Sequence, residues 1–235
     1  MRAVLILLAL VSALLASSPA RAGEAPPVLV ELFTSQGCSA CPPADALLAE
    51  LADRDDVIAL ALHVDYWDYI GWKDGFARPE FTARQKAYAR AAGHRTIYTP
   101  QMIVNGTEHV VGAKPMRLAD ALMRQRERAP LVALDLARAG SRLTITARPL
   151  AHALPAQMVV QLVRYLPSAT VAISRGENAG RTITYRNIVT EWMHLARWDG
   201  RNAFQLELAV TGPEPVVVVI QSDGPGEVLA AARLR

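Results

Sequence analysis

The residues best suited to chemistry in this chain are its two cysteines, Cys38 and Cys41, which stand two positions apart. At this spacing two thiols at the start of a helix can join as a disulfide or separate as a dithiol. The loop that such a bridge closes is too short to restrain the unfolded chain, which favours reactivity over a scaffolding role. The pattern therefore predicts thiol–disulfide exchange, with an inert disulfide and half of a metal site as the alternatives.

The surrounding pattern places these cysteines between a strand and a helix. Val28–Phe33 is typical of a short buried strand, and the residues after Cys41 have a helical period. The apolar face of that helix carries Ala44, Leu47, Leu48 and Leu51. Free N–H groups and the dipole at a helix N-terminus stabilise a thiolate. We therefore expect Cys38, the outer cysteine, to be the nucleophile and Cys41 to be the resolving thiol.

Glu31, in the strand that leads to the cysteines, is the candidate proton acceptor. A buried carboxyl has a raised pKa and can take a proton from a thiol near neutral pH. Because side chains alternate between the two faces of a strand, a surface or edge position for Glu31 is the alternative.

A second group of polar and aromatic residues follows the predicted strand Val57–Val64. It comprises His63, Asp65, Tyr66, Trp67 and Trp72. Ligands bind at the carboxyl ends of strands in α/β folds, so these residues are predicted to form a substrate rim. Packing of the rings against the core is one alternative. Another is a copper site made by Cys38, Cys41 and His63, with Met102 as a fourth ligand.

The chain has two regions of different character. Residues 27–128 alternate strand and helix patterns in the order βαβαββα, which predicts an α/β domain. Within it, Asn105-Gly106 between Gln101–Val104 and Glu108–Val111 predicts a type I′ hairpin turn. Residues 130–235 contain short strand patterns punctuated by Gly and Pro, which predicts a small antiparallel, sandwich-like all-β domain.

Residues 1–22 have the pattern of a signal peptide. Arg2 precedes a short apolar run, and Ala20-Arg21-Ala22 fits a cleavage site near Ala22. The run is shorter than the roughly 20 residues that cross a bilayer, so we expect a secreted or periplasmic protein without a membrane span. An uncleaved anchor is the alternative. The formal net charge of the whole chain is only +3, and no nucleic-acid partner is expected.

Several segments also carry a family resemblance. They are Val30–Cys38 with Cys41–Asp45, His63–Trp67, Tyr98–Gln101, Arg175–Arg181 and Trp198–Gly200. Together they resemble a family of exported thioredoxin-like proteins that is known only as a domain of unknown function. The resemblance implies a thioredoxin-like α/β domain with a β-rich tail, and it brings no established substrate.

In thioredoxin-fold proteins a cis proline faces the cysteines, at the place that Pro100 holds here. The resemblance therefore implies a cis Thr99–Pro100 bond, with the backbone of Thr99 free to pair with an extended substrate. Glu31 departs from the thioredoxin pattern, because it lies seven residues before Cys38 whereas the buried acid of thioredoxin lies six before.

The predicted function is an exported thiol–disulfide oxidoreductase that uses no cofactor and acts on protein or small-molecule thiols and disulfides. The competing hypothesis is a binding module. It would either handle copper through Cys38, Cys41 and His63, or bind a partner and carry an inert disulfide.

Overall fold

The apolar runs of the first half fold into the helices and strands that their periods predict. The computed structural model describes residues 25–235, so the predicted signal peptide lies outside the described residues. The elements of this half are β1 (Val28–Thr34), α1 (Pro42–Ala52), β2 (Val57–His63), α2 (Pro79–Ala91), β3 (Gln101–Val104), β4 (Glu108–Val111) and α3 (Pro115–Arg126). A single 3-10 turn, Asp68–Ile70, interrupts the connection between β2 and α2.

The second half is all β. Its strands are β5 (Val132–Ala139), β6 (Arg142–Pro149), β7 (Met158–Ala172), β8 (Thr182–Trp198), β9 (Phe204–Ala209), β10 (Val216–Ser222) and β11 (Val228–Leu234). Strands β7 and β8 are the longest of the described strands, with 15 and 17 residues, and they pair with each other along their length.

The predicted hairpin turn is present between β3 and β4. Asn105 and Gly106 both have positive φ, 44° and 77°, as a type I′ turn requires. The N–H of Thr107 donates to Val104 O at 3.2 Å and closes the turn. The strand partner of Val104 is Glu108, so the connection is three residues long.

The expected fold class, a thioredoxin-like α/β domain followed by a small all-β domain, is wrong. Eight strands from both halves form one mixed sheet in the order β11-β10-β7-β8-β2-β1-β3-β4, and residues 25–235 contain only three α-helices. The two halves join where β2 pairs in parallel with β8, at Ala61 and Ile188. Asn187, which has a positive φ of 48°, donates from its side-chain amide to Ala59 O at this junction. The division of the chain near residues 128–130 stays a prediction.

Three clusters of buried hydrophobic side chains lie against the two faces of this sheet. The core on one face includes Leu60, Phe81 and Tyr88 from the first half together with Val163 and Val217 from the second. The opposite face packs against α1 and α3 near β1 and β2, and against the three-stranded sheet β5-β6-β9 near β7 and β10. Since one core contains residues of both halves, the halves share the free energy of burying it.

None of the helices described for residues 25–235 is long and apolar enough to cross a membrane.

Candidate functional site

The two cysteines are joined as a disulfide at the start of α1. Cys41 is the N-cap residue of the helix, and Cys38 lies in the turn before it. Both side chains are buried, with 1% and 0% of their surfaces exposed, whereas Ser39 and Ala40 between them are exposed. The disulfide therefore lies directly beneath an exposed dipeptide.

The expected stabilisation of a thiolate by free N–H groups of the first turn is not available in this structure. Pro42 and Pro43 have no N–H, and the N–H of Ala44 donates to Cys41 O at 2.8 Å. The helix dipole remains, but these three positions offer no free backbone donor to a sulfur. A different group must therefore compensate charge that develops on Cys41.

A loop from the second half, Ile173–Arg181, covers the cysteine turn. The side-chain amide of Asn178 is buried and donates to Gln36 O and to Cys38 O, both at 2.9 Å. The carboxylate of Glu177 accepts from the N–H of Ser39 at 3.3 Å. The loop therefore forms one wall of the site.

Asp45 lies one helical turn after Cys41 and points to the interior. Its N–H donates to Cys41 O at 3.1 Å, and its Oδ1 accepts from the hydroxyl of Thr34 at 2.8 Å. Residues four apart on a helix share a face, so Asp45 and Cys41 lie on the same side of α1. Burial raises the pKa of Asp45 to about 7, and the nearby His63 limits the rise.

His63 lies beside this carboxyl at the end of β2. It is the strand partner of Thr34, and its side chain is fully buried. Its Nδ1 is 2.7 Å from Oδ2 of Asp74, which also accepts from the N–H of Gln36 at 2.8 Å. The rings of Phe76 and Tyr185 pack edge-on against His63. His63 was predicted to lie at a substrate rim, but it belongs to the interior of the site.

Two tryptophans of the predicted rim do border the cysteine turn. Trp67 donates from Nε1 to the hydroxyl of Thr99, and Trp72 donates to Oε1 of Gln36, each at 2.8 Å. A Cβ at Gly37 would lie 3.1 Å from Cβ of Trp67, so glycine permits this close approach. Both rings are partly exposed and could contact a substrate.

The other two members of the predicted rim bond to α2 instead. Asp65 accepts from the hydroxyl of Thr82 at 2.5 Å, and the hydroxyl of Tyr66 donates to Gln85 Oε1 at 3.1 Å. Burial raises the pKa of Tyr66 to about 12, so this hydroxyl is neutral at physiological pH. These two residues fix the loop before α2 and are only partly exposed.

The peptide bond between Thr99 and Pro100 is cis. Pro100 is buried, and Thr99 is tied to the loop that contains Trp67. The structure thus brings the segment before β3 next to the loop that borders the cysteine turn.

The structure does not bring Glu31 to the cysteines. Its carboxylate forms a bidentate ion pair with Arg84 of α2, at 2.5 and 2.9 Å, and accepts from the hydroxyl of Tyr88 at 2.5 Å. Alternation along β1 places it on the α2 face, whereas Thr34 and α1 lie on the other face. Glu31 is therefore not the proton acceptor that the sequence suggested, because a paired carboxylate on the opposite face has no path to the sulfurs.

The copper alternative names Cys38, Cys41 and His63, and in this structure the two sulfurs are bonded to each other. Within residues 25–235 no group of three or more His, Cys, Asp or Glu side chains is arranged to hold a metal ion. Nδ1 of His63 is engaged by Asp74.

Sequence reasoning missed Asp45, Asn178 and Tyr185. A signal for Asp45 was present, because positions 41, 44, 45 and 48 share one helical face and the other three are apolar or cysteine. A carboxylate on the buried face of a helix next to a cysteine is a candidate for chemistry. Nothing near Asn178 in the sequence indicates that its loop reaches a turn 140 residues earlier.

The fold and site define a protein with a mixed sheet and a buried disulfide, which is covered by a loop from the second half of the same chain. Residues 29–221 match the family described as "Protein of unknown function (DUF1223)". The chain belongs to this family, which confirms the expected membership of a family of unknown function.

The solved structures that are similar to this chain include the following two. Protein AGR_C_4864 from Agrobacterium tumefaciens is 32% identical, with a TM-score of 0.77, over 91% of this chain and 96% of that chain. HBP35 of Porphyromonas gingivalis is 18% identical, with a TM-score of 0.62, over 90% of this chain and 75% of that chain. The second likeness concerns the fold alone. Among curated proteins, none matches the chain.

Proposed function

We propose that this protein is an exported thiol–disulfide oxidoreductase whose redox centre is the Cys38–Cys41 disulfide. The observation that carries the proposal is that the bridge joins residues already held by the backbone. The N–H of Cys41 donates to Cys38 O at 3.2 Å, and the N–H of Cys38 donates to Ser35 O at 3.2 Å. A bridge across one such turn adds little to stability, so its value lies in its reactivity.

The reaction is a two-electron exchange with a substrate dithiol or disulfide. A substrate thiolate attacks Sγ of Cys38, the bond to Cys41 breaks, and Cys41 leaves with the electron pair and takes up a proton. A second substrate thiolate then attacks the mixed disulfide and releases Cys38. The substrate is oxidised, the protein is reduced, and the reverse sequence oxidises the protein.

The borders of the site suit a protein substrate. Ser39 and Ala40 are exposed above the disulfide, and the partly exposed rings of Trp67 and Trp72 lie beside it. Tyr69, on the same loop as the tryptophans, is 81% exposed. Aromatic rings at an exposed border favour contact with a polypeptide chain.

Trapping of a mixed disulfide tests the proposal. Reduced Cys41→Ser protein is incubated with glutathione disulfide under native conditions, and the mass increase of one glutathione is followed. We expect Cys41→Ser to acquire glutathione through Cys38, while Cys38→Ser, in which the inner thiol remains, acquires it far more slowly. If Cys41→Ser stays unmodified until it is unfolded by urea, the exchange function is excluded.

Burial of both sulfurs favours one other candidate, a binding protein with an inert disulfide. Under this candidate dithiothreitol reduces the wild-type bridge only at the rate of global unfolding. Reduction faster than unfolding, with the unfolding rate measured in urea and extrapolated to water, excludes it.

A further inference from the structure

We infer that Asp45 is the proton acceptor and donor for Cys41 in the exchange reaction. The inference rests on the proposed function and assigns a role that neither the family nor the similar structures supply. It depends on three observations: the position of Asp45 relative to Cys41, the hydrogen bonds of its carboxyl, and the charges that surround it.

The helix itself sets the position of Asp45. The bond from its N–H to Cys41 O is the first i to i−4 bond of α1. Both side chains are buried, at 0% and 5% exposure, and they occupy the same face one turn apart. A proton that Cys41 gains or loses is therefore exchanged in the interior, where Asp45 is the acidic side chain nearest along the helix.

One oxygen of the Asp45 carboxyl is held and the other is free. Thr34 fixes Oδ1, whereas Oδ2 is buried and has no hydrogen-bond partner within residues 25–235. Nε2 of His63 is likewise buried and unpartnered there. Buried polar atoms are nearly always bonded, so two orphaned atoms on neighbouring titratable groups point to a place where protons move.

The groups around Asp45 set its pKa close to neutral pH. They are His63 from β2, Asp74 from the loop before α2, Tyr185 from β8 and Cys41 on its own helix. Burial raises the pKa of Asp45 to about 7, His63 lowers it and Asp74 raises it. Burial also keeps the pKa of Tyr185 well above its usual range, so its hydroxyl stays neutral. Near pH 7 the carboxyl can both give and take a proton.

In each direction of the exchange one proton passes between the Asp45 carboxyl and Cys41. When a substrate thiolate attacks Cys38 and the disulfide breaks, the Cys41 thiolate takes the proton of the Asp45 carboxylic acid, which leaves a carboxylate. In the reverse direction the Asp45 carboxylate takes the proton of the Cys41 thiol as that sulfur attacks the mixed disulfide on Cys38. The substrate leaves as a thiolate, and the two electrons stay with it.

Titration of a single thiol tests the coupling without any substrate. Cys41 is the remaining thiol in Cys38→Ser, and its ionisation is followed by thiolate absorbance between pH 5 and 11. We expect its pKa to fall when Asp45→Asn is added, because an ionised Asp45 opposes a second negative charge. Glu50→Gln, an exposed change on the same helix, is the matched control and leaves the titration unchanged. Identical titrations with and without Asp45→Asn would overturn the inference.

The rate of resolution provides the second measurement. The Cys38–glutathione mixed disulfide is formed on reduced protein, and its conversion to the Cys38–Cys41 disulfide is quenched with acid and followed by mass. We expect the wild-type rate to rise with pH through about 7, and the Asp45→Asn rate at pH 7 to be about 100-fold lower and to lack that inflection. Equal rates and profiles contradict the inference.

A gentler variant covers the case in which Asp45→Asn does not fold. In the wild type the hydrogen bond from Thr34 to Oδ1 lowers the pKa of Asp45. Thr34→Val keeps the shape of the side chain and removes this bond, so the pKa of Asp45 should rise. The inflection in the resolution rate should therefore move to higher pH, and an unmoved inflection counts against Asp45. If Cys41→Ser forms no mixed disulfide with glutathione, the proposed function fails, and the titration of Cys41 in Cys38→Ser still decides the role of Asp45.

Discussion

Glu31 and Asp45 are both buried carboxyl residues, and their partners decide what each can do. Glu31 meets the guanidinium of Arg84, the hydroxyl of Tyr88 and, through them, Gln221. The guanidinium also stacks 3.8 Å from the ring centre of Trp192. This closed network joins α2 to strands of both halves, whereas Asp45 keeps an unbonded oxygen beside a histidine. The first carboxyl therefore has all its partners within the fold, and the second has one oxygen without a partner among residues 25–235.

Asp45 should make the stability of the oxidised protein depend on pH. Its folded pKa of about 7 exceeds the ordinary value of 3.8, so between these values the folded state binds a proton that the unfolded state has lost. Stability therefore falls as the pH rises from about 4 to about 7, by up to ~4 kcal/mol. We expect Asp45→Asn to be more stable relative to wild type at pH 8 than at pH 5, in urea unfolding at both values. Glu50→Gln is the control, and an Asp45→Asn difference that does not change with pH contradicts the prediction.

The ion pair of Glu31 and Arg84 should be costly to break from one side. Arg84→Met leaves a buried carboxylate without its cation, which typically costs about 3–5 kcal/mol. The double variant Glu31→Gln/Arg84→Met removes both charges and should lose less. Urea unfolding of the two variants measures the difference, with the exposed Lys86→Met on the same helix as control. A double variant less stable than Arg84→Met would show that packing, rather than the charge, is what matters.

Among the elements, the loop between β7 and β8 lies against the turn that carries the disulfide. Its polar, glycine-containing segment suits a turn, but the long strands β7 and β8 carry it across to the start of α1. There Asn178 supplies two bonds to backbone carbonyls, and Glu177 bonds to Ser39. Because Cys38 is buried under this loop, we expect attack on its Sγ to require the loop to shift.

Removing the amide of Asn178 should expose the disulfide. Each of its two bonds contributes about 1 kcal/mol, so Asn178→Ala should speed reduction of the bridge by dithiothreitol by about 30-fold. The rate is measured by alkylation and mass, and Asn202→Ala, an exposed change in the β8–β9 loop, is the control. An unchanged rate in Asn178→Ala would show that the loop does not limit access.

At the scale of the whole molecule, one sheet and one core connect the halves. Beyond the β2–β8 pairing, the N–H of Val228 donates to Asn105 O at 3.0 Å. A Cβ at Gly106 would lie 2.1 Å from Gly226 O, so the β3–β4 turn is packed tightly against the β10–β11 turn. The disulfide site also uses both halves, because its helix comes from the first and its covering loop from the second.

A fragment of the first half should not fold by itself. Residues 25–128 alone would leave β2 as an open sheet edge and expose the face that contacts Val163 and Val217. We expect this fragment to lack a cooperative thermal transition by circular dichroism, while residues 25–235 unfold cooperatively. A cooperative transition of the fragment would instead support the predicted boundary near residues 128–130.

Much of the local structure could be predicted because it depends on neighbouring residues. Asn105-Gly106 specifies its turn through positive φ, and Pro79 and Gly93 bound α2 as proline and glycine usually do. Prediction failed where packing decides. Met116 of α3 is 74% exposed although its side chain is apolar, and β11 forms a strand although three of its seven residues are alanine. Strands β7 and β8 continue past their apolar runs because they pair with each other.

The sequence by itself determined the cysteine spacing, the helix that follows it, the hairpin and the family motifs. These depend on residue types within a few positions and on the conformations that glycine, proline and asparagine allow. Only the tertiary structure decided that β2 pairs with β8, that Glu31 is bound by Arg84 on the far face, and that Asn178 covers Cys38. It also left Oδ2 of Asp45 unbonded one turn from Cys41. Contacts between residues more than 100 positions apart arise from burying a shared core, and no short motif encodes them.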